Sequence, residues 1–310
     1  MNEAKASLAK HFPLTDLGKA DFFLGIEIVR TPGTIILNQA AYTQKVLERF
    51  QQENSHPVST PLNPGLKLVD TEEPAEDETI YRSLLGSLMY LMLCTRPDIA
   101  FAVGALSKFS SNPKKSHMVA ARHLLKYINK TALLSLHLGP FESTSLRPIL
   151  YSDADWAGDP ETRRSTGGYL CMITDPSTTN KATVSWSSKK QQTIALSLTE
   201  AEYMALTQAA KEAIWVGRFL AELSGNLEHT SPKAITVYAD NQGSMALAHN
   251  PEFHARTKHI AIREHYIREK VDEGDIVLEY LATGDMVADC LTKSLSREKV
   301  ETFRKEMGIY

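Results

Sequence analysis

The sequence contains few cysteines and no long apolar run. The three cysteines among its 310 residues, Cys94, Cys171 and Cys290, are far apart, and none belongs to a Cys-x-x-Cys pair. This spacing gives no support to a zinc ribbon or a disulfide framework and suits a reducing compartment. No stretch approaches the roughly 20 apolar residues that span a bilayer, and the first residues lack the apolar segment of a signal peptide. We therefore expect a soluble intracellular protein with no membrane partner.

A strong charge of one sign is also missing. Lysine and arginine number 34 and the acids 37, which gives a net charge of -3. This balance argues against a protein that holds nucleic acid mainly through bulk positive charge. Residues 148–310 carry 18 basic and 23 acidic side chains. That mild excess is compatible with a cluster of carboxylates and equally with an ordinary surface.

Length and composition indicate a globular protein of about two domains. Hydrophobic residues make up 43% of the chain and charged residues 23%, which excludes a disordered or low-complexity chain. No P-loop or Gly-x-Gly-x-x-Gly motif precedes a helix, so nucleotide-cradling chemistry has no support.

The first half is predicted to be a β-hairpin followed by helices. Two β-rich segments within residues 22–39 flank a turn at Thr31-Pro32-Gly33-Thr34. Apolar residues at helical spacing predict helices, which cover about 40–52, 80–93, 98–110 and 115–130. Four prolines and an acidic run between residues 53 and 78 predict an extended or mobile connection.

The second half has a different pattern, which predicts an α/β fold. Three strands come first, near 148–153, 168–174 and 182–188, and a long helix near 199–223 follows. Strands near 234–239 and 276–281 then alternate with helices, one of them near 259–272. A meander followed by helix-crossed strands predicts a mixed five-stranded sheet with flanking helices.

Four acids lie near the ends of these elements. Asp153 ends the first strand of this half, Glu202 lies early in the long helix, Asp240 directly follows the next strand, and Asp289 begins the last helical segment. Because carboxyl ends of parallel strands share one sheet edge, Asp153 and Asp240 would meet there if their strands are neighbours. Clustered carboxylates suit Mg²⁺ or Mn²⁺, and two such ions can activate a water and stabilise a leaving oxygen.

Ordinary structural roles are an alternative for each acid. Asp240 precedes a short helix and is in position to be its N-cap. Glu202 has capping-box spacing from Thr199, and Asp289 alone is an ordinary surface carboxylate. The prediction of a metal site therefore depends on the order and context of all four acids.

Seven segments of the second half, in order, closely resemble the ribonuclease H domain of Ty1/copia-type retrotransposon Pol polyproteins. They are YSDADWAGD at 151–159, RRSTGGY at 163–169, SWSSKKQ at 185–191, SLTEAEYMAL at 197–206, YADNQ at 238–242, RTKHI at 256–260 and ADCLTK at 288–293. The resemblance implies a ribonuclease H-like domain over residues 148–310.

The first half resembles the same polyproteins, in the stretch that follows the polymerase palm. The matching segments are TDLG at 15–18, FFLGIEI at 22–28, YRSLLGSLMYL at 81–91, TRPDIAFAV at 95–103 and LSKFSSNP at 106–113. The resemblance implies that residues 1–140 are the end of the reverse transcriptase domain and its connection. The Tyr-x-Asp-Asp motif of the polymerase centre is missing, since the chain has no Asp-Asp dipeptide. We expect no polymerase activity from this chain alone.

By resemblance, Asp153, Glu202, Asp240 and Asp289 correspond to the family's catalytic, metal-binding acids, with two Mg²⁺ or Mn²⁺ ions expected. Asp155, Glu200 and Asp285 are nearby alternatives. Asp153 is preferred because it follows its strand directly, and Glu202 because its Ala-Glu-Tyr context matches the family.

The implied substrate is an RNA–DNA hybrid, whose RNA strand would be hydrolysed. Its phosphates have candidate contacts in basic residues, and solvated faces are the alternative. These candidates are Arg163, Arg164, Lys189, Lys258 and His259. His259 is the nearest analogue of the mobile histidine of cellular ribonucleases H, although a structural role fits it as well. Trp156 and Trp186 are expected to pack rather than to stack on nucleic acid.

Four alternatives to an autonomous nuclease stay open: an integrase-type nuclease, an inert transposon remnant, a nucleic-acid-binding scaffold, and a subdomain that works only with the missing polymerase palm or a full-length Pol. A helix carrying Glu202 directly after three meander strands favours ribonuclease H over an integrase. The resemblance places the protein in the cytoplasm, within a virus-like particle, or in the nucleus.

Overall fold

The computed structural model describes residues 2–66, 68–69, 73–75, 77–143, 145–224, 234–249 and 261–310. The first half contains α1 (Asn2–Ala9), β1 (Phe22–Phe23), β2 (Ile26–Thr31), β3 (Thr34–Asn38), α2 (Ala40–Arg49), α3 (Glu78–Cys94), α4 (Ala100–Ser107), α5 (Lys115–Lys130) and β4 (Leu136–Leu138). The second half contains β5 (Arg147–Ala154), β6 (Thr166–Thr174), β7 (Lys181–Lys190), α6 (Leu198–Leu223), β8 (Ile235–Ala239), α7 (Gln242–His249), α8 (Ala261–Asp272), β9 (Ile276–Tyr280) and α9 (Arg297–Glu306).

The predicted hairpin is the centre of a four-stranded sheet in the order β1-β2-β3-β4. Thr31 pairs with Thr34 across the turn, where Pro32 is followed by Gly33 at φ +70°. Proline followed by a left-handed glycine is typical of a type II turn. The short strand β4, which the sequence pattern did not predict, pairs with β3 on one side. On its other side the Ser135 N–H donates to the Tyr310 carbonyl over 2.7 Å.

The second sheet has five strands in the order β7-β6-β5-β8-β9. β5, β6 and β7 form an antiparallel meander, whereas β5, β8 and β9 run parallel to one another. With α6 packed on this sheet, the predicted α/β class with a mixed five-stranded sheet and flanking helices is confirmed. The chain passes from the first sheet to the second between β4 and β5, where the domain boundary near 140–148 was predicted. That boundary stays a prediction.

The two faces of the second sheet are covered differently. On one face, Leu150 and Val237 of the sheet pack against α6 residues such as Leu206. On the other face, Leu170 and Met172 belong to a core shared with helices of the first half. That core also contains a 3-10 turn over Val287–Leu291 and residues of α9. The helical region and the sheet therefore bury one continuous set of apolar side chains.

A buried charged network fixes this shared core. Arg96 Nη2 lies 2.8 Å from Asp98 Oδ2, and both side chains are almost completely buried. The Tyr127 hydroxyl donates to Asp98 Oδ2 over 2.7 Å, and Arg96 also donates to Thr131. Burial would raise the pKa of Asp98, but the Arg96 guanidinium and the Tyr127 hydroxyl outweigh burial and lower it. Because each charge is paired, the core tolerates them.

Candidate metal centre

Three of the four predicted acids meet at one edge of the second sheet. Asp153 lies near the end of β5, Asp240 directly follows β8, and Glu202 is in the first turns of α6. One carboxylate oxygen from each lies within 4.8 Å of the others. Asp153 and Glu202 are buried, while Asp240 is half-buried. Parallel pairing of β5 with β8, with Ser152 opposite Ala239, brings the two aspartates together.

Asp240 does not cap the helix that follows it. The side-chain oxygen of Asn241 accepts from the Ser244 N–H over 2.8 Å, so Asn241 has that role for α7. Asp240 Oδ2 instead accepts a hydrogen bond from the Thr283 hydroxyl at 2.8 Å. The capping interpretation of Asp240 is therefore wrong, and its carboxylate faces the cluster.

Glu202 is not part of a capping box either. The N-cap of α6 is Ser197, whose hydroxyl accepts from the Glu200 N–H. The Glu200 carboxylate turns back to accept from the Leu196 N–H at 2.7 Å. Because Glu200 supports the start of the helix, the alternative that placed it at the metal site loses its basis. Glu202, half a turn further on, reaches the sheet edge.

The other two alternative acids lie outside the cluster. Asp155 comes after the end of β5, and its carboxylate accepts the Thr166 N–H. Burial raises the pKa of Asp155 to about 6, opposed by that hydrogen bond. Asp285 is exposed and precedes the 3-10 turn rather than sharing a helical face with Asp289.

Asp289, the fourth predicted acid, is bound to lysines rather than grouped with the other three. Its side chain is buried, and Oδ1 lies 2.7 Å from Lys293 Nζ. Oδ2 lies 3.7 Å from Lys299 Nζ. Lys293 also approaches Asp153, with Nζ 3.8 Å from Oδ2. Lys293 therefore bridges the fourth acid and the three-acid cluster.

Thr292 and Gly168 position this region, and neither was among the residues predicted to form the site. The buried Thr292 hydroxyl donates to Asp153 Oδ2. Gly168 pairs with Asp153 across the β5–β6 ladder. A Cβ on Gly168 would come within 2.7 Å of the Leu291 Cβ and 2.9 Å of the Thr292 Cγ2. The missing side chain therefore allows the 3-10 turn to approach the sheet.

The pKa values of the acids reflect burial and crowding. Burial, assisted by Asp153 and Asp240, raises the pKa of Glu202 to about 9. Burial also raises the pKa of Asp153 to about 6, with Lys293 opposing the shift. Burial would lower the pKa of Lys293, but the Asp153 and Asp289 carboxylates outweigh it and raise that pKa. Hard oxygen donors whose negative charges are crowded together fit a divalent cation such as Mg²⁺.

Three of the five residues predicted to contact phosphate lie in the described part of the chain. Arg163 and Arg164 are exposed on the β5–β6 loop, and Lys189 is exposed on β7. Lys258 and His259 lie outside the described residues, so their positions are not assigned. Lys189 also lines a groove of about 410 Å³ between the β6–β7 sheet region and α6.

The two tryptophans have different environments. Trp186 is partly buried in the shared core, and its indole N–H donates to the Met92 carbonyl over 3.0 Å. Trp156 is 54% exposed, and its indole N–H donates to the Ala195 carbonyl over 3.3 Å. Packing is therefore the role of Trp186, whereas half of Trp156 faces solvent.

A search of the described helices for a membrane span found none that is both long and apolar enough to cross a bilayer.

Comparisons with known proteins agree with the motifs. The family model for reverse transcriptase (RNA-dependent DNA polymerase) matches residues 1–64. A retrovirus-related Pol polyprotein from transposon TNT 1-94 of Nicotiana tabacum is 43% identical over 99% of this chain and 23% of its own length. The corresponding polyprotein from transposon RE1 of Arabidopsis thaliana is 38% identical over 98% of this chain and 20% of its own length.

A solved ribonuclease H1, LC11, isolated from compost by a metagenomic approach, matches 50% of this chain and 96% of its own at 18% identity, with a TM-score of 0.33. The chain spans about a fifth of the length of the two Pol polyproteins. With these sequence matches over nearly all its residues, the chain belongs to the family of retrovirus-related transposon Pol polyproteins.

Proposed function

We propose that residues 148–310 form a metal-dependent ribonuclease H that hydrolyses the RNA strand of RNA–DNA hybrids. The observation that carries this proposal is the convergence of Asp153, Glu202 and Asp240, with one oxygen of each within 4.8 Å of the others. The three acids come from separate elements, which are strand β5, helix α6 and the end of strand β8. Membership in the Pol family, together with the motifs of the ribonuclease H region, favours this activity.

The chain's own residues have distinct roles in this proposal. Asp153, Glu202 and Asp240 would hold divalent metal, with Asp289 as the fourth acid and two ions expected in the working site. When bound, Mg²⁺ or Mn²⁺ supplies activation of a water and charge stabilisation at the leaving oxygen of a phosphodiester. Thr292 fixes the orientation of Asp153 through its hydrogen bond. Metal binding requires Glu202 to lose its proton, since burial raises its pKa.

The substrate proposal depends on exposed basic side chains of the second sheet and its loops. Arg163 and Arg164 on the β5–β6 loop and Lys189 on β7 are exposed and able to reach phosphates. A 2′-hydroxyl distinguishes the RNA strand from DNA. We further propose that this unit works beside a polymerase in a longer Pol polyprotein, of which residues 1–140 are the connecting region.

Cleavage of labelled duplexes by the purified chain tests the proposal. We expect Mg²⁺- or Mn²⁺-dependent cleavage of the RNA strand in an RNA–DNA hybrid, and none of double-stranded DNA. Asp240→Asn should abolish cleavage while retaining the Thr283 hydrogen bond and the fold. The matched control is Asp285→Asn, an exposed acid outside the cluster, which should cleave normally.

Other outcomes separate the alternatives. Hybrid binding without cleavage by the parent chain would support the scaffold interpretation. Neither binding nor cleavage would support an inert remnant. Preferential cutting of double-stranded DNA would support an integrase-type nuclease, and full activity of Asp240→Asn would overturn the site assignment.

A further inference from the structure

Asp289 differs from the other acids of the site in its charge balance. Lysine Nζ atoms lie 2.7 Å and 3.7 Å from its two carboxylate oxygens. In the described part of the chain, the closest cation to Asp153 is Lys293, at 3.8 Å, and Glu202 and Asp240 have no lysine or arginine within 4.0 Å. Three acids are therefore left for metal, while the fourth is already neutralised by the protein.

Lys293 lies against both of the acids that would share a second metal ion, Asp289 and Asp153. Its ammonium group is within 4 Å of both carboxylates. An ion held between these two acids would compete with this ammonium group for their oxygens. Two cations so close would also repel strongly in a partly buried site.

We propose that Lys293 acts as a built-in competitor for the second divalent ion. The free protein then takes one ion tightly at Asp153, Glu202 and Asp240. The second site forms only when an anionic ligand, such as a phosphodiester of the substrate, draws the ammonium group away. The identity of that ligand rests on the proposed function. The predicted number of bound metal ions is independent of it.

The side chains involved are suited to such an exchange. Lys293 is 40% exposed, so its flexible stem has room to move toward a ligand. Asp289 is 1% exposed and is costly to leave without a cation. An incoming ion would replace the lysine as its partner, which links release of Lys293 to occupation of the second site.

Mn²⁺ titration of the full chain by isothermal calorimetry tests the proposal without a need for activity. We expect one tight ion for the wild type and two for Lys293→Met, with affinity at the second site raised by about tenfold or more. Lys293→Arg keeps the charge and should bind one tight ion. Lys305→Met, which makes the same charge change at an exposed position of α9, should match the wild type.

A double variant controls for misfolding of the Lys293→Met protein. Lys293→Met leaves Asp289 buried without its nearest cation, whereas Asp289→Asn with Lys293→Met removes both charges together. The double variant should fold and bind one tight ion. Two tight ions in the wild type, or one in a folded Lys293→Met protein, would overturn the proposal. Failure of the wild type to cleave hybrid would overturn the nuclease proposal instead and leave these stoichiometries unchanged.

Discussion

The Thr292 hydroxyl donates a hydrogen bond to the Asp153 carboxylate, although 139 positions separate the two residues in the chain. Both side chains are buried. The bond joins the central strand of the second sheet to the turn that carries Asp289. It fixes one oxygen of Asp153, so the geometry of the cluster depends on the segment at 288–293 as well as on the sheet.

Replacing Thr292 with valine should lower cleavage by about 10–100-fold, the usual effect of losing a hydrogen bond to a metal ligand. Valine keeps the shape of threonine but cannot donate to Asp153. The Mn²⁺ concentration needed for half-maximal activity should rise in parallel. Thr292→Ser, which retains the hydroxyl, should recover most of the activity. Equal rates for the valine variant and the wild type would exclude this positioning role.

Glu202→Gln should stabilise the metal-free protein at neutral pH. The pKa of Glu202 is about 9 in the folded chain against an ordinary value of 4.5. Between these pH values the unfolded chain has released a proton that the folded chain retains, so wild-type stability falls as pH rises. Glutamine does not titrate, so the variant keeps its stability as pH rises. Its free energy of unfolding at pH 7.5 should exceed that of the wild type by about 1–3 kcal/mol.

Urea denaturation in EDTA measures this difference. The two curves should converge below about pH 4, where the glutamate is largely protonated in both states, and separate as pH increases. Glu200→Gln is the contrasting variant, because it weakens the contact with Leu196 at the start of α6. It should give no gain at pH 7.5, and a pH-independent gain for Glu202→Gln would contradict the assigned pKa.

Arg96→Met should destabilise the protein by about 3–5 kcal/mol, since it leaves the buried Asp98 carboxylate without its main partner. Combining it with Asp98→Leu should recover much of that loss, because no charge then remains unpaired. Urea midpoints measure both effects. Arg82→Met, which breaks an exposed pair with Glu78 on α3, should cost less than about 1 kcal/mol. A similarly small cost for Arg96→Met would show that the network contributes little.

Substituting Arg163 or Arg164 with glutamine should weaken hybrid binding and its dependence on salt. Each phosphate contact that is lost lowers the slope of log K against log salt by about one. Fluorescence anisotropy with a catalytically inactive Asp240→Asn background measures the slope. Arg122→Gln, at an exposed position on α5, should leave it unchanged. If the arginines do not contact phosphate, all three variants will share one slope.

Local sequence patterns predicted the regular elements well, but not how distant segments complete them. The helix expected at 115–130 is Lys115–Lys130, because its apolar face is continuous and its ends are polar. β4 has only three residues and no usable alternation. It exists because β3 and the segment around Ile309 pair with it. Pairing between distant segments leaves no local signal in a single sequence.

The metal-site acids were predictable as candidates, whereas the choice among neighbours was not. β5 ends at Ala154, between the two aspartates, so Asp153 lies in the strand and Asp155 lies beyond it. The Glu200 carboxylate folds back to the start of α6, whereas the Glu202 carboxylate reaches the acidic cluster. The segment ADCLTK contained Thr292 and Lys293, but their contacts with Asp153 depend on how the 3-10 turn packs on Gly168.

Residues 135–138, which include β4, connect the hairpin to the C-terminal residues 308–310. The Ser135 N–H donates to the Tyr310 carbonyl, the Tyr310 N–H donates back to Ser135, and His137 donates to Gly308. β3 occupies the other edge of the same strand. We therefore expect the amide protons of the hairpin, of β4 and of residues 308–310 to open as one cooperative unit. Their hydrogen-exchange rates should rise and fall together when conditions change, although these segments lie far apart in the chain.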